Sequence, residues 1–234
     1  MRNKKIISIL FISLLLIAIT VFIINSKFNN YETSIASQQD DSIIEDNKCL
    51  SISEIKKNID SDKIFYIYGE GMFIYEPTIE NLYENADLVM IGRFDKNVET
   101  YVPGVSIHTK IQFDTVKILK NTSDVNVDDN VIVDTLGGAV TLSEYMNNNH
   151  TVKDGEFENV SPKERSNYYV IQEYAPEDKL DFSSNNNNEY LLFLGLRDGQ
   201  FYASASYYGI RKINNNTIFD YDTNKYVTSN LVEK

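Results

Sequence analysis

Residues Ile6 to Ile24 run for nineteen positions without a charge, and only Ser8, Ser13 and Thr20 are polar. A helix at about 1.5 Å rise per residue makes that run roughly 28 Å long, close to the hydrocarbon thickness of a bilayer. A segment apolar on every face fits poorly as a surface helix of a small domain. Arg2, Lys4 and Lys5 precede the run, and Asn25, Ser26 and Lys27 close it. That charge asymmetry keeps residues 1–5 in the cytoplasm and sends the chain after residue 24 outside.

Two fates compete for this segment. A cleaved signal has an apolar stretch of roughly 7–15 residues with a small-x-small site soon after it. This run is longer, and its nearest site of that form, Ser34-Ile35-Ala36, lies well beyond it. An uncleaved signal anchor over residues 6–24 is therefore the expectation, with secretion after cleavage as the alternative. Lipidation would need a cysteine directly after the run, but the single cysteine is Cys49, in a polar setting.

The whole chain of 234 residues carries a net charge of −12. Residues 1–27 hold Arg2, Lys4, Lys5 and Lys27 and no acid, so the remainder carries −16. This argues against nucleic acid as a partner, which asks for a basic footprint. It also disfavours anionic membrane surfaces and wall polymers, and leaves cations, basic proteins or neutral glycans. One cysteine excludes an internal disulfide frame and a multi-thiolate zinc site.

Residues 25–62 read as a polar spacer with one short amphipathic stretch at Ser51–Asp60, where Ile52, Ile55 and Ile59 have helical spacing. That stretch is either packed on the domain or a marginal helix in the spacer. Residues 63–234 read as the extracytoplasmic domain, mainly β. Ile64–Tyr68 and Met72–Tyr75 around Gly69-Glu70-Gly71 predict a hairpin. Pro77 followed by Ile79, Leu82, Tyr83 and Ala86 predicts a helix over 77–86.

Strands are expected at Leu88–Phe94, Ser106–Leu119, Val131–Val133, Tyr168–Ile171 and Tyr190–Leu194, the last as a central strand. The apolar positions of 106–119 switch parity after Phe113, which predicts a bulge. Arg197-Asp198-Gly199 predicts a tight turn into Gln200–Tyr208, and Ile210–Ile213 with Thr217–Phe219 a closing hairpin. Residues 143–166 read as a surface excursion. The pattern fits a small antiparallel barrel or sandwich with one or two short helices.

Asn85-Ala86-Asp87-Leu88-Val89-Met90-Ile91-Gly92-Arg93-Phe94 resembles the first core strand of the netrin-like module, the OB-fold domain shared with tissue inhibitors of metalloproteinases. Phe113–Lys120 resembles the strand closing its first long hairpin, and Glu189–Tyr202 its later strand–turn–strand. The same order of patches resembles uncharacterised exported bacterial proteins. The resemblance covers residues 85–210 and implies a small OB-like barrel. It does not carry over the inhibitors' mechanism, which uses an N-terminal cysteine in a disulfide frame; Cys49 is internal in the uncleaved chain and has no second cysteine.

No catalytic, metal or cofactor residues emerge. Asp124, Asn126, Asp128, Asp129 and Asn130 resemble the start of a calcium loop but lack its glycine and terminal glutamate, and Asp220–Asn224 is equally incomplete. His108 and His150 lack partners at ligand spacing. The carboxylates Glu70, Glu76, Glu80, Glu84, Asp87 and Glu99 offer no pair that sequence can single out. Gly137-Gly138 suits a turn or bulge. The tyrosines 66, 68, 75, 168, 169, 202, 207 and 208 suit cross-strand packing or a stacking face.

The expected function is a membrane-anchored binding module for a protein or cell-envelope component. A carboxylate-dependent cell-surface hydrolase and an assembly subunit of a membrane complex are the alternatives. A reporter enzyme fused after Lys234 should be active outside the cytoplasm; activity confined to the cytoplasm overturns the topology.

Overall fold

The computed structural model describes residues 49–68, 76–152, 157–173, 180, 182 and 187–232. The apolar run 6–24, the spacer before Cys49 and the arm expected at Met72–Tyr75 lie outside these residues. Among the described residues no helix is long and apolar enough to cross a membrane. The fold is mainly β, with three short helices among the described residues, α1 (Ile52–Asn58), α2 (Ile79–Asn85) and α3 (Leu142–Asn148).

The strands are β1 (Ile64–Tyr68), β2 (Leu88–Tyr101), β3 (His108–Asn121), β4 (Asn130–Leu136), β5 (Gly138–Thr141), β6 (Tyr169–Glu173), β7 (Glu189–Arg197), β8 (Gln200–Ala203), β9 (Ile210–Asn214), β10 (Thr217–Asp220) and β11 (Lys225–Thr228). Eight of them form one sheet in the order β11-β10-β9-β7-β2-β3-β4-β8, and β8 also pairs with β7. The five strands β7-β2-β3-β4-β8 therefore close into a ring. Four of its five pairings are antiparallel, while β4 and β8 run parallel through Val133↔Phe201 and Asp134↔Tyr202. A smaller sheet, β1-β6-β5, also holds a parallel pair, β1 with β6.

β2 and β7 explain the two longest apolar runs. Leu88, Met90, Tyr190, Leu192 and Leu194 fill the ring interior, while Val89, Ile91, Leu191 and Phe193 face a second cluster with Leu82 and Ala86 of the α2 region. Both faces of each strand are buried, so no polar alternation is required. β7 lies between β2 and β9, as its run predicts.

One edge of β7 serves two strands. Its first half pairs with β9 through Leu192↔Ile210, and its second half with β8 through Leu194↔Ala203. Between them the Ser204 amide donates to the Phe193 carbonyl at 2.9 Å. The chain leaves β8 and returns as β9 within Ser204–Gly209, with Ala205 and Ser206 both left-handed at φ 51° and 57°. Gly209 sits against the Ser204 backbone, where a Cβ would collide.

The expected bulge is present and has company. β3 leaves Val116 and Leu119 unpaired against β2, and β2 leaves Asp95 and Val98 unpaired against β3. Val116 and Ile118 stay 43% exposed instead of turning into the core. β3 has outrun β4 there, since their pairing ends at Asp114↔Asn130.

Several expectations need correction. The strands are not wholly antiparallel, because one pairing in each sheet, β4 with β8 and β1 with β6, sets distant segments parallel. Residues 143–166 are not a plain excursion. Leu142, Tyr145 and Val160 are buried with Val102, Ile107, Val140 and Val170. Thr141 caps α3 by accepting from the Glu144 amide at 3.2 Å, which makes a third helix in an Asn-rich stretch. β11 adds an edge strand.

α1 is packed on the domain. Ser51 and Glu54 form a capping box, and Ile55 is buried with Ile64, Ala139 and Ile171. α2 begins two residues later than the Pro77 rule suggests, because Thr78 is the cap. The Pro77 carbonyl is instead taken by Arg211 Nη2 at 2.9 Å. Arg211 is wholly buried, and its Nη1 donates to the Phe219 carbonyl at 3.2 Å and to Asp220 at 3.1 Å. Arg211→Met should cost about 3 to 5 kcal/mol by leaving buried acceptors and Asp220 unpaired. The urea midpoint reads this, and a loss below about 1 kcal/mol contradicts the buried ion pair's role.

Candidate functional site

The alternating row Val131, Val133, Thr135 of β4 points inward, as do Thr109, Ile111 and Phe113 of β3. At the end of the ring where β2, β4 and β8 finish, this row changes from apolar to threonine. Thr100, Thr109 and Thr135 are register partners across β2, β3 and β4. Thr109 donates to the Gly137 carbonyl at 2.8 Å, and Thr100 Oγ1 lies 3.4 Å from Thr109 Oγ1. Gly138, at φ 141°, lies against Thr109 and leaves no room for a Cβ.

Above this row sits a cavity of about 100 Å³. Its apolar walls are Leu50, Ile52, Ile111, Leu136, Leu180 and Phe182. Asn97, Gln172 and Tyr207 complete the rim. Gln172 is a tie between the two sheets, accepting from the Ile107 amide at 2.6 Å. One buried polar atom here is unsatisfied. Thr135 lines the cavity and is 8% exposed. Asn97 donates through Nδ2 to the Phe182 carbonyl at 3.1 Å, while its buried Oδ1 has no partner. Such an atom costs free energy in an otherwise satisfied interior.

The strained connection Ser204–Gly209 meets the same rim through Tyr207. Tyr207 and Tyr208 stack at 4.4 Å, and Tyr221 meets them edge-on at 5.1 and 5.2 Å. Phe219 and Tyr226 extend the chain of rings. Other sequence-noted tyrosines serve packing. Tyr168 stacks on Phe65, and Tyr169 joins the α1 cluster. Tyr66 lies under Lys56 and Tyr202 under Arg197.

The carboxylates scatter. Glu76, Glu80 and Glu84 are exposed around α2. Asp87 is structural, accepting from the Leu196 amide at 2.8 Å and so tying the start of β2 to the end of β7. Glu99 binds Lys110 at 2.8 Å. The Glu144 carboxyl is pushed up, first by burial and then by the charge of Glu99. Glu173 is the one carboxylate among the described lining residues of the cavity, and Lys56 holds it at 2.6 Å. Glu70 lies outside the described residues.

Neither acidic loop gathers its oxygens. Among the described residues no group of three or more His, Cys, Asp or Glu side chains is arranged to hold a metal ion. Asp220 is occupied by Arg211 and Thr223. Asp128 accepts from Asn126 at 3.3 Å. Cys49 contacts Thr100 Oγ1 at 2.8 Å, and burial pushes its thiol pKa up, which keeps it protonated. His150 donates its amide to the Gly104 carbonyl at 3.0 Å.

His108 has a partner distant in the sequence. On the outer face of β3 its Nδ1 lies 2.8 Å from Asp134 of β4, which also accepts from the Tyr101 hydroxyl. Tyr101 is pushed up, by burial and then by Asp134. Burial would raise Asp134, but hydrogen bonds from His108 and Tyr101 outweigh it and hold the carboxyl below its usual range. The 26-residue separation hides this pair from any local motif.

Comparison with protein families, with curated proteins and with solved structures finds no match.

Asp134 and Asp220 both titrate below their unfolded values, so each contributes stability that is present above about pH 4 and lost as pH falls through the folded values. The urea midpoint should therefore fall on acidification from pH 6 to pH 3. Asp134→Asn should start lower and fall less steeply, and an unchanged slope counts against the Asp134 linkage.

Proposed function

We propose that this chain is a binding module on the outer side of the cell membrane, tethered by residues 6–24, whose site is the mouth of an OB-like barrel of netrin-like type. The strand ring supports the barrel reading. Its order β2-β3-β4-β8-β7, with β4 and β8 parallel and the other pairings antiparallel, is a five-stranded Greek-key closure. The Ala-Asp-Leu-Val pattern at 86–89 gains a physical reason as well, since Asp87 fastens the first ring strand to the end of β7.

The observation that carries the binding role is the mostly apolar cavity at the ring mouth, with Thr109, Thr135 and Asn97 among its lining residues. Small-molecule sites are concave, mostly apolar and furnished with a few placed polar groups, and barrel mouths are a preferred location. The partner is a protein or a cell-envelope component, and the module performs no chemistry on it.

A photo-crosslinking residue at Tyr207 in the full chain on intact cells should yield an adduct with an envelope component. The same residue at Ile118, on the far overhang of β3, should yield none. Equal adducts at both positions, or none at Tyr207, overturn the mouth as the site.

A further inference from the structure

We infer that an open groove in the wall of the strand ring, between the first residues of β4 and the β7–β8 turn, binds an uncharged oligosaccharide. It shares no described lining residue with the mouth cavity and stands apart from it.

The strand pairing creates the groove. β4 begins at Asn130, but β8 joins it only through Val133↔Phe201 and Asp134↔Tyr202. Before that point the chain is still turning out of β7, with Asp198 and Gly199 both left-handed at φ 52° and 77°. The space between holds about 460 Å³. That lies within the roughly 300–1,000 Å³ of small-molecule sites and is on the scale of roughly two sugar rings. A Cβ on Gly199 would meet nothing within 4 Å, so the turn leaves its side of the groove open.

The lining is layered. Val131 and Phe201 form a floor that belongs to the core cluster of the ring, and Ile132, 41% exposed, adds an apolar wall. Around them stand the amides of Asn126, Asn130 and Gln200, the Asp128 carboxylate and the Lys110 ammonium. A pyranose ring is layered in the same way, with C–H bonds on its faces and hydroxyls at its edge. Its face makes dispersion contacts with the floor while its edge meets the rim. Each hydroxyl both donates and accepts, as do the amides, whereas Asp128 only accepts and Lys110 only donates. Hydroxyls answer all of these groups together, which neither a hydrocarbon nor a single charged group does.

Charge narrows the class. Lys110 is held by Glu99 at 2.8 Å and lies over the Tyr101 ring, so it brings donors to the rim and little free charge. Asp128 remains, and the chain after residue 27 carries −16, so an anion is disfavoured. An anionic ligand would also lose hydration without gaining a counter-charge. Among the described residues no group of three or more His, Cys, Asp or Glu side chains is arranged to hold a metal ion. An uncharged sugar needs neither.

The probe is cellotriose, titrated into the full chain in lipid nanodiscs and followed by methyl NMR. Saturable shifts at Val131 and Ile132 are expected, with Ile111 and Leu136 at the mouth unmoved and a dissociation constant on the order of millimolar. Trigalacturonate, also a trisaccharide but anionic, should bind at least about tenfold more weakly. Acetyl-trialanine amide, an uncharged peptide without the hydroxyl edge, should also bind at least about tenfold more weakly. Asn130→Ala and Gln200→Ala should each weaken cellotriose about fivefold without lowering the thermal midpoint.

Shifts that do not saturate, shifts centred on Ile111, equal affinity for trigalacturonate, or unchanged affinity in both variants overturn the inference. Equal affinity for acetyl-trialanine amide also overturns it, in favour of a peptide occupant. If a variant lowers the midpoint, the cellotriose to trigalacturonate ratio in the unaltered chain decides.

Discussion

The structure depends on one strand edge being divided between two partners. β7 gives half of that edge to β8, which closes the ring, and half to β9, which extends the sheet outward. The division has a local cost. Two consecutive non-glycine residues adopt left-handed backbone, each worth roughly 1 to 2 kcal/mol. The buried Ser206 hydroxyl is left without a partner as well. What offsets this is β7 itself, buried on both faces from Tyr190 to Leu194. The strained connection cannot relax without unpairing one strand or the other, and it delivers Tyr207 to the mouth of the ring.

Polar ties fix how the parts meet, where apolar contact would be permissive. Arg211 fastens the segment before α2 to β10. Asp87 fastens the start of β2 to the end of β7, and Gln172 fastens the small sheet to the residue before β3. Each spans a long stretch of sequence and joins elements whose hydrophobic faces would accept several registers. Buried polar contacts of this kind are weak sources of net stability, and we read their role here as selecting one arrangement.

Much of the fold was legible because the signals were local. β2 and β7 showed as apolar runs, the Asp198-Gly199 turn as its dipeptide, and α2 as a helical stripe. The Asn214–Asn216 tract lies between the two strands expected as a closing hairpin, and it supplies their turn with Asn215 at φ 57°. The parallel pairings were not legible, since β1 with β6 and β4 with β8 join segments far apart that carry no shared local mark. α3 was hidden by its asparagines, although Leu142 and Tyr145 sit three apart and Thr141 precedes them as a cap. The site was hidden differently. Thr135 looks like any strand threonine, and only its place at the inward end of the row Val131, Val133, Thr135 hints at it. That it lines a cavity is a fact of three dimensions.

The seating of α1 has a mechanical consequence. Any load applied through the residues before Cys49 reaches the domain first at the contact of Cys49 with Thr100 of β2, then at the Leu50–Ser53 wall of the cavity and α1. It is borne by Ile55 among Ile64, Ala139 and Ile171, and by Lys56 on Glu173. Contacts of that kind peel one after another under tension, whereas a strand pulled along its length would shear many hydrogen bonds at once. A tether attached here would strip the cavity wall well before it disturbed the ring.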